Sequence, residues 1–313
     1  MSARSKRMHR WSGWLFVSPW LLGLALLFVY PFVASLIWSF TEYDLLTSPR
    51  FVGIDHYERI VREIIQGKGF GKALWNTFYY AAVSIPLSIM LAIGLAVMLN
   101  WKVRGQAFFR TLFYLPSMVP MVASSILWLW LLDPRDGMVN GLLGFVYETP
   151  PLWFQGIQEG MSFSSPLQFG SKDGLTLMSL WGVGNFMLIY LAALGDVDAS
   201  LYQAAELDGA GWLRKFRYIT LPMLSPIIFF NLILGIIQSV QAFTQVYIVS
   251  EGTGQPAEAS LLISLQLFLT AFRDLEMGYA SAIAWVLFVV LALATWGLFR
   301  SSRNWVHYRG VRM

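Results

Sequence analysis

Leu201-Tyr202-Gln203-Ala204-Ala205-Glu206-Leu207-Asp208-Gly209-Ala210-Gly211-Trp212-Leu213-Arg214-Lys215-Phe216-Arg217-Tyr218-Ile219-Thr220-Leu221-Pro222 is a polar interval between two runs, 175–194 and 223–249, that contain no Asp, Glu, Lys or Arg. Its first half reads as a short helix whose end is signalled by Gly209 and Gly211, both candidates for a left-handed stop. Its second half places Trp212, Phe216 and Ile219 on one helical face and runs to Pro222, where the next apolar run begins. Two small helices and a glycine elbow make a compact knob. On these residues alone it is a structured connector, and what it connects decides the fold.

A hydrocarbon core of about 30 Å needs roughly 20 helical residues. Six charge-free stretches meet that length, over residues 14–40, 74–99, 111–132, 175–194, 223–249 and 277–299. Of the 313 residues, 57% are hydrophobic and 13% charged, and the mean hydropathy is +0.57. Soluble domains carry about 25% charged residues, so this chain cannot coat a water-soluble particle, which excludes a cytosolic enzyme. The expected fold is all-α and integral to the membrane. It has a basic tail over residues 1–13, a six-span domain over 14–299 with the knob at about 201–222, and a second basic tail over 300–313. Arg4, Lys6, Arg7 and Arg10 precede the first stretch as they would a secretory signal, but its 27 residues exceed an h-region and no cleavage site closes it.

Short basic loops stay cytoplasmic. The N-terminal tail, the 100–110 turn, the 195–222 interval and the C-terminal tail hold 14 basic and 4 acidic residues, while the three remaining loops hold 8 basic and 14 acidic. Both termini are therefore expected in the cytoplasm. The net charge of +4 conceals this asymmetry and points to no nucleic acid. Trp14, Trp38, Trp75, Trp101 and Trp130 fall at span ends, where an amphipathic ring prefers the headgroup layer. Trp181 and Trp285 lie deeper.

Asn231, Gln238, Gln241 and Gln245 share one stripe of the fifth stretch if it is a continuous helix. Amides facing hydrocarbon are costly, so the stripe lines a path for a polyhydroxylated solute or bonds to neighbouring helices. Asn185 and Trp181, four residues apart, add an amide and an aromatic platform. No carboxylate lies at membrane depth, which disfavours ion-coupled transport. The chain has no cysteine and three histidines, His9, His56 and His307, which read as solvated loop residues, so no metal site is expected. Gly67-Lys68-Gly69-Phe70-Gly71-Lys72-Ala73 approaches a phosphate-binding loop but fails its spacing at Gln66 and Ala73. No hydrolase or protease signature appears, so the chain is expected to be non-catalytic.

Two loops have features of their own. A helix from Asp55, with Glu58 in a capping box, puts Ile60, Val61, Ile64 and Ile65 on one face, for the membrane surface or an external partner. The long 133–174 loop carries Pro150, Pro151, Trp153, Phe154, Phe163 and Phe169, as a lid, a partner site or a cover over helix ends. Ala92 with Ala96, and Ala280 with Ala284, are small-residue pairs suited to close helix approach.

The 201–222 interval also resembles the EAA loop of ATP-binding-cassette (ABC) importer permeases. Ala204, Ala205, Asp208, Gly209, Ala210, Phe216, Ile219, Leu221 and Pro222 match that pattern at its spacing, with Glu206 inside it, while Gln203 replaces its glutamate. Phe51 to Tyr57 and Gly278 to Ala284 resemble segments of the sugar-importer branch, similar to the maltose-type first permease subunit, and Gly254-Gln255-Pro256 imperfectly resembles its G-G-P turn. The resemblance implies a bacterial plasma (inner) membrane permease for a carbohydrate. It implies a second homologous permease, two ATPase subunits carrying ATP and Mg, and an extracytoplasmic solute-binding protein. It makes 203–222 the ATPase-docking loop, with an amide hydrogen bond at Gln203 where relatives have a carboxylate. The substrate path would be Asn231, Gln238, Gln241 and Gln245 with Asn185, Trp181 and Trp285. Glycerol phosphate or another polar solute is the alternative cargo, and a carrier or channel without ATP coupling the alternative class.

Overall fold

A computed structural model describes residues 3–101, 104–144, 151–155 and 170–307, with side chains from Trp14 onward. Pro150, Phe163 and Phe169 of the long loop lie outside the described residues. The chain forms two compact units, Met1–Arg62 with Leu267–Phe288 and Glu63–Gln266 with Val289–Met313. Among the described residues four helices are long and apolar enough to cross a membrane, and six crossings result if each of two bent helix pairs counts as one.

In the first unit, helix α1 (Trp14–Trp38) continues a helix that starts at Ala3 and contains a π-turn at Ala25–Val29. A two-stranded hairpin follows, β1 (Thr41–Glu42) against β2 (Arg50–Phe51), with Thr41 opposite Phe51. Helix α2 (Asp55–Gln66) then begins, with Ile60 buried but Val61, Ile64 and Ile65 exposed. Arg59 ties it to the later part of the unit, pairing with Glu276 at 2.6 Å and lying 3.9 Å over the Tyr279 ring. Gly278 is required here, because a Cβ would stand 2.0 Å from the Thr41 carbonyl oxygen. His56 is half-buried with Nε2 3.0 Å from that same oxygen, rather than a solvated loop histidine.

The second unit is built round α3 (Phe70–Asn100). It continues through α4 (Gln106–Met118), α5 (Met121–Leu131), α6 (Met138–Leu143), α7 (Ser171–Trp181), α8 (Gly184–Gly195), α9 (Ala199–Leu207), α10 (Leu221–Val240) and α11 (Thr244–Val249). Beyond it in sequence come α12 (Ile263–Arg273) and α13 (Met277–Ser302). Ala92 and Ala96, both fully buried, let α3 pack against Met187, Tyr190, Leu191 and Leu194 of α8, with Leu224 of α10 completing the cluster. This pair therefore serves packing within the chain. Without water to drive helices together, such close contact is what holds a membrane bundle.

Two apolar stretches that read as straight spans are bent, and a third is interrupted without a comparable bend. α4 and α5 meet at 98° across Val119-Pro120, where proline supplies no N–H and pushes Val119 to extended geometry (ψ 128°). α7 and α8 meet at 46° at Gly182-Val183. α10 ends at Val240 and α11 resumes at Thr244, with the Ala242 carbonyl accepting the Ser264 hydroxyl outside any helix ladder. The long loop covers helix ends where it is described. Trp153 and Phe154 are buried, and the Trp153 indole donates to Asn140 Oδ1 at 2.7 Å.

Candidate coupling loop and substrate cavity

The 201–222 interval forms a helical knob. Asp198 caps α9 by accepting the Ser200 amide at 2.9 Å. At the other end Gly209 has φ +73°, the Ala210 amide donates to the Ala205 carbonyl at 2.8 Å and the Gly209 amide to Glu206 at 3.0 Å. That is a Schellman stop, and only Gly209 provides the left-handed residue. Gly211 is extended (φ −68°, ψ 169°) and precedes the next helix instead of ending the first. Nor is the second piece a separate helix ending at Pro222. Trp212–Lys215 runs through a π-turn at Phe216–Thr220 directly into α10, and Pro222, which has no N–H to give the preceding turn, stands immediately after that π-turn.

Lys215 pairs with Glu206 at 2.7 Å, Tyr202 Oη lies 3.0 Å from Thr220 Oγ1, and the Trp212 and Phe216 rings stack at 5.7 Å. The first two contacts bind the two arms of the elbow, and the ring stack lies within the second arm. Gln203, Ala204, Asp208 and Gly209 are exposed, as are Leu213, Tyr218 and Leu207, the last at 90%. The small projection therefore carries apolar side chains on its surface.

A cavity of about 560 Å³ opens in the second unit. Gln238 and Gln241 come from the end of α10, Gln245 and Thr244 from α11, Asn185 and Phe186 from α8, Trp181 and Ser179 from α7, Ser117 and Ser124 from the α4–α5 bend, and Tyr80 and Ser88 from α3. Its wall includes residues at all three helix breaks, Val119 between α4 and α5, Gly182 and Val183 between α7 and α8, and Gln241 to Phe243 between α10 and α11. The amide stripe is thus not one helical face. Gln238 and Gln241 lie before the break, while Gln245 lies after it with its Nε2 donating to Tyr80 Oη at 3.0 Å. Asn231 is not in the cavity. It is buried beside Tyr190 in the α8–α10 packing, neither side chain completing a hydrogen bond. Trp285 belongs to the first unit, where its indole donates to Ser35 Oγ at 3.2 Å and its ring meets Phe32 at 4.7 Å.

Two groups escaped the sequence reading. The first is a polar seam on α3. Asn76, Tyr80, Ser84 and Ser88 recur every four residues, a spacing visible in the sequence, and run from a buried loop clamp to the cavity wall. Asn76 Nδ2 donates to the carbonyls of Glu258 (2.8 Å) and Leu261 (3.0 Å), and its Oδ1 accepts from Lys172 Nζ at 3.2 Å. The second is Lys172 and Asp173, which sequence alone counts as ordinary loop charges. Both are buried, with Asp173 accepting from Tyr79 Oη at 2.8 Å and from the Gly170 amide at 2.9 Å. The Gly67–Ala73 turn holds an acid where a phosphate loop would hold its phosphate, because the Phe70 amide donates to Glu63 at 2.8 Å. Among the described residues no cluster could hold a metal ion.

Residues 64–303 match the family described as binding-protein-dependent transport system inner membrane component. The chain belongs to this family. It is an inner membrane permease subunit of a binding-protein-dependent ABC importer. The permease is 41% identical to the probable ABC transporter permease protein YesP of Bacillus subtilis over 98% of its own length and 95% of that protein. It is 32% identical to the lactose transport system permease protein LacF of Rhizobium radiobacter, covering 96% of each. Its fold matches a chain of a bacterial alginate ABC transporter crystallised with an alginate pentasaccharide-bound periplasmic protein. That match has a TM-score of 0.76 at 20% identity and covers 96% and 97% of the two chains.

Proposed function

We propose that this permease forms part of the translocation path of an ATP-driven carbohydrate importer in the bacterial inner membrane. The observation that carries the reading is the cavity. The twenty described residues that line it include four carboxamides or indoles, Gln238, Gln241, Asn185 and Trp181, besides the Gln245–Tyr80 pair, and none carries a charge. Carboxamides and hydroxyls donate and accept at once, as sugar hydroxyls require, and an indole face receives the apolar side of a pyranose. A phosphorylated solute such as glycerol phosphate would call for Arg or Lys, which the lining lacks. Relatives named for lactose and for sulfoquinovosyl glycerol support a glycan cargo.

In this reading the knob at 203–222 docks on one of two ATPase subunits, which carry ATP and Mg, and a second homologous permease completes the path. A solute-binding protein delivers the sugar from outside. ATP-driven closure of the ATPases moves the knobs and so reorients the spans. The chain itself performs no chemistry. The test is ATP hydrolysis by the permease coexpressed with its neighbouring gene products in nanodiscs, with binding protein loaded from a sugar panel. Stimulation by one loaded binding protein is expected. A carrier without ATP coupling would copurify with no ATPase, and that result would overturn the reading.

A further inference from the structure

Two prolines stand four residues apart at the base of α10, Pro222 and Pro226. Neither has an N–H, so each removes a rung of the helix ladder, and Pro226 denies the Pro222 carbonyl its usual donor. That carbonyl is not orphaned. The Ser225 hydroxyl donates to it at 2.6 Å, and the Ser225 oxygen in turn accepts the backbone amide of His307 at 2.9 Å. His307 belongs to the segment after α13, which turns at residues 303–305 and comes back against α10. There the Trp305 ring meets Phe229 at 6.1 Å, and Phe299 of α13 meets the same Phe229 ring at 5.1 Å. Ser225 and Phe229 are both buried. At about 100° per residue, Pro222, Ser225, Pro226 and Phe229 share one side of α10. The returning segment therefore lies on the side where the rungs are missing.

We propose that the 303–307 segment braces the coupling helix, with Ser225 as the positioning residue through which it acts. The brace stiffens the proline-weakened base of α10, so that movement of the knob reaches Gln238 and Gln241 instead of being absorbed by a bend at Pro226. The inference rests on the importer reading for its consequence, coupled transport, and on the contacts alone for the stiffening. A proline inside a helix is the ordinary cause of a kink. Pro226 lies between the knob, which ends at Pro222, and the cavity residues of α10, which begin at Gln238. A bend there would divert the motion before it arrived. Ser225 supplies the missing donor from within the helix, and the His307 amide, by occupying the hydroxyl oxygen, keeps the hydroxyl proton directed at the Pro222 carbonyl. The Trp305–Phe229 contact holds the segment in place one turn further along.

The experiment uses the assembled importer, each variant being first checked for elution as the intact complex. One readout is the width of the distance distribution between spin labels at Leu213 and Ile236 in nanodiscs. The other is sugar imported per ATP hydrolysed in proteoliposomes with loaded binding protein. Ser225→Ala is expected to broaden the distribution and to lower the import ratio about fivefold, as loss of one satisfied hydrogen bond does. Trp305→Ala frees the segment but leaves the Ser225 hydroxyl, and is expected to do the same to a smaller degree. Ser225→Thr keeps a hydroxyl able to bond back along the helix and is expected to retain both wild-type values. The deciding background is Pro226→Ala, which returns an N–H to the Pro222 carbonyl. There Ser225→Ala and Trp305→Ala are expected to change neither readout, because their effect passes through the missing rung. If Ser225→Ala does not assemble, Trp305→Ala carries the same comparison. Wild-type values in both variants, or an undiminished loss in the Pro226→Ala background, would overturn the brace and leave the importer reading standing. A wild-type assembly whose hydrolysis no loaded binding protein stimulates would overturn the importer reading, and the label distribution would still decide the brace.

Discussion

The sharpest expectation concerns the two glycines of the knob, which the sequence presents as equivalents and the structure separates. At Gly209 φ is +73° and nothing stands within 4 Å of an added Cβ. A side chain there costs no collision, only the left-handed backbone, about 1–2 kcal/mol for an ordinary residue and more for a β-branched one. The elbow has little to set against that. The Lys215–Glu206 pair is partly exposed, at 21% and 61% of the two side chains, and worth less than about 1 kcal/mol. The Tyr202–Thr220 bond adds about 1 kcal/mol. A margin of about 2 kcal/mol is thus nearly cancelled by Gly209→Val, which leaves the elbow about half formed, and halved by Gly209→Ala. Gly211 is also open but sits at φ −68°, so Gly211→Ala meets no such penalty. The assay is sugar uptake in cells, beside binding-protein-stimulated ATP hydrolysis in nanodiscs, with membrane-inserted protein quantified for each variant. Uptake is expected to fall in the order wild type and Gly211→Ala, then Gly209→Ala, then Gly209→Val, with insertion unchanged. Gly209→Asn should fall between glycine and alanine, because Asn tolerates this conformation. Normal uptake in Gly209→Val together with loss in Gly211→Ala would refute the elbow argument.

Other expectations concern the second unit. Asn76→Leu orphans the carbonyls of Glu258 and Leu261 and removes an acceptor from buried Lys172, a loss of about 2–4 kcal/mol that should appear as a lower melting temperature in fluorescence-detected size-exclusion. Gly184→Val would put a Cβ 2.4 Å from the Phe113 carbonyl oxygen, so α8 could not approach α4, and yield of monodisperse protein is expected to collapse. Asp133 is held below the usual carboxylate range chiefly by the amide of Asp136, then by that of Arg135. Such a depressed group stabilises its turn above the unfolded value of 3.8 and loses that contribution as pH falls through the lower folded value. Protection of the Arg135 and Asp136 amides, relative to their intrinsic exchange rates, should persist at pH 5 and fall only below the ordinary carboxylate value of 3.8.

Charge-free runs locate the apolar helices because the membrane penalises every exception, and the EAA-type spacing locates the knob because a Schellman stop requires its glycine at a fixed place. What periodicity could not reveal was where helices break. The stripe from Asn231 to Gln245 assumed 100° per residue throughout, and three non-helical residues after Val240 sent Gln245 towards Tyr80 and left Asn231 in the packing. Burial of Lys172 and Asp173 was equally hidden, since a charge in a long loop is ordinarily solvated and only the fold supplies Asn76 and Tyr79 as partners. Trp285 was selected for its depth alone, and depth does not say which helix an indole faces. The α3 seam was legible at i+4 spacing, but serines and a tyrosine in an apolar run carry too little polarity to stand out beside four amides.

The break after Val240 also decides how motion at the knob would reach the cargo. From Trp212 to Val240 the backbone is helical without interruption, 29 residues and about 40 Å at 1.5 Å per residue. A helix of that length moves as a rod. Gln238 lies on it and Gln241 closes its last turn, so a rotation imposed at the knob carries both. Gln245 stands across the break, hydrogen-bonded to α3 through Tyr80, and is expected to stay with α3. The cavity wall is therefore divided between a part that belongs to the knob and a part that belongs to α3. Spin labels on the assembled importer should read this directly. On adding ATP, the distance between labels at Leu213 and Ile236 should stay within about 2 Å, as a rod requires, while that between Ile236 and Tyr247 should change by more than the rod does. If the Leu213–Ile236 distance changes and Ile236–Tyr247 does not, the π-turn at Phe216–Thr220 is the hinge, and the knob is coupled to the cavity by some route other than α10.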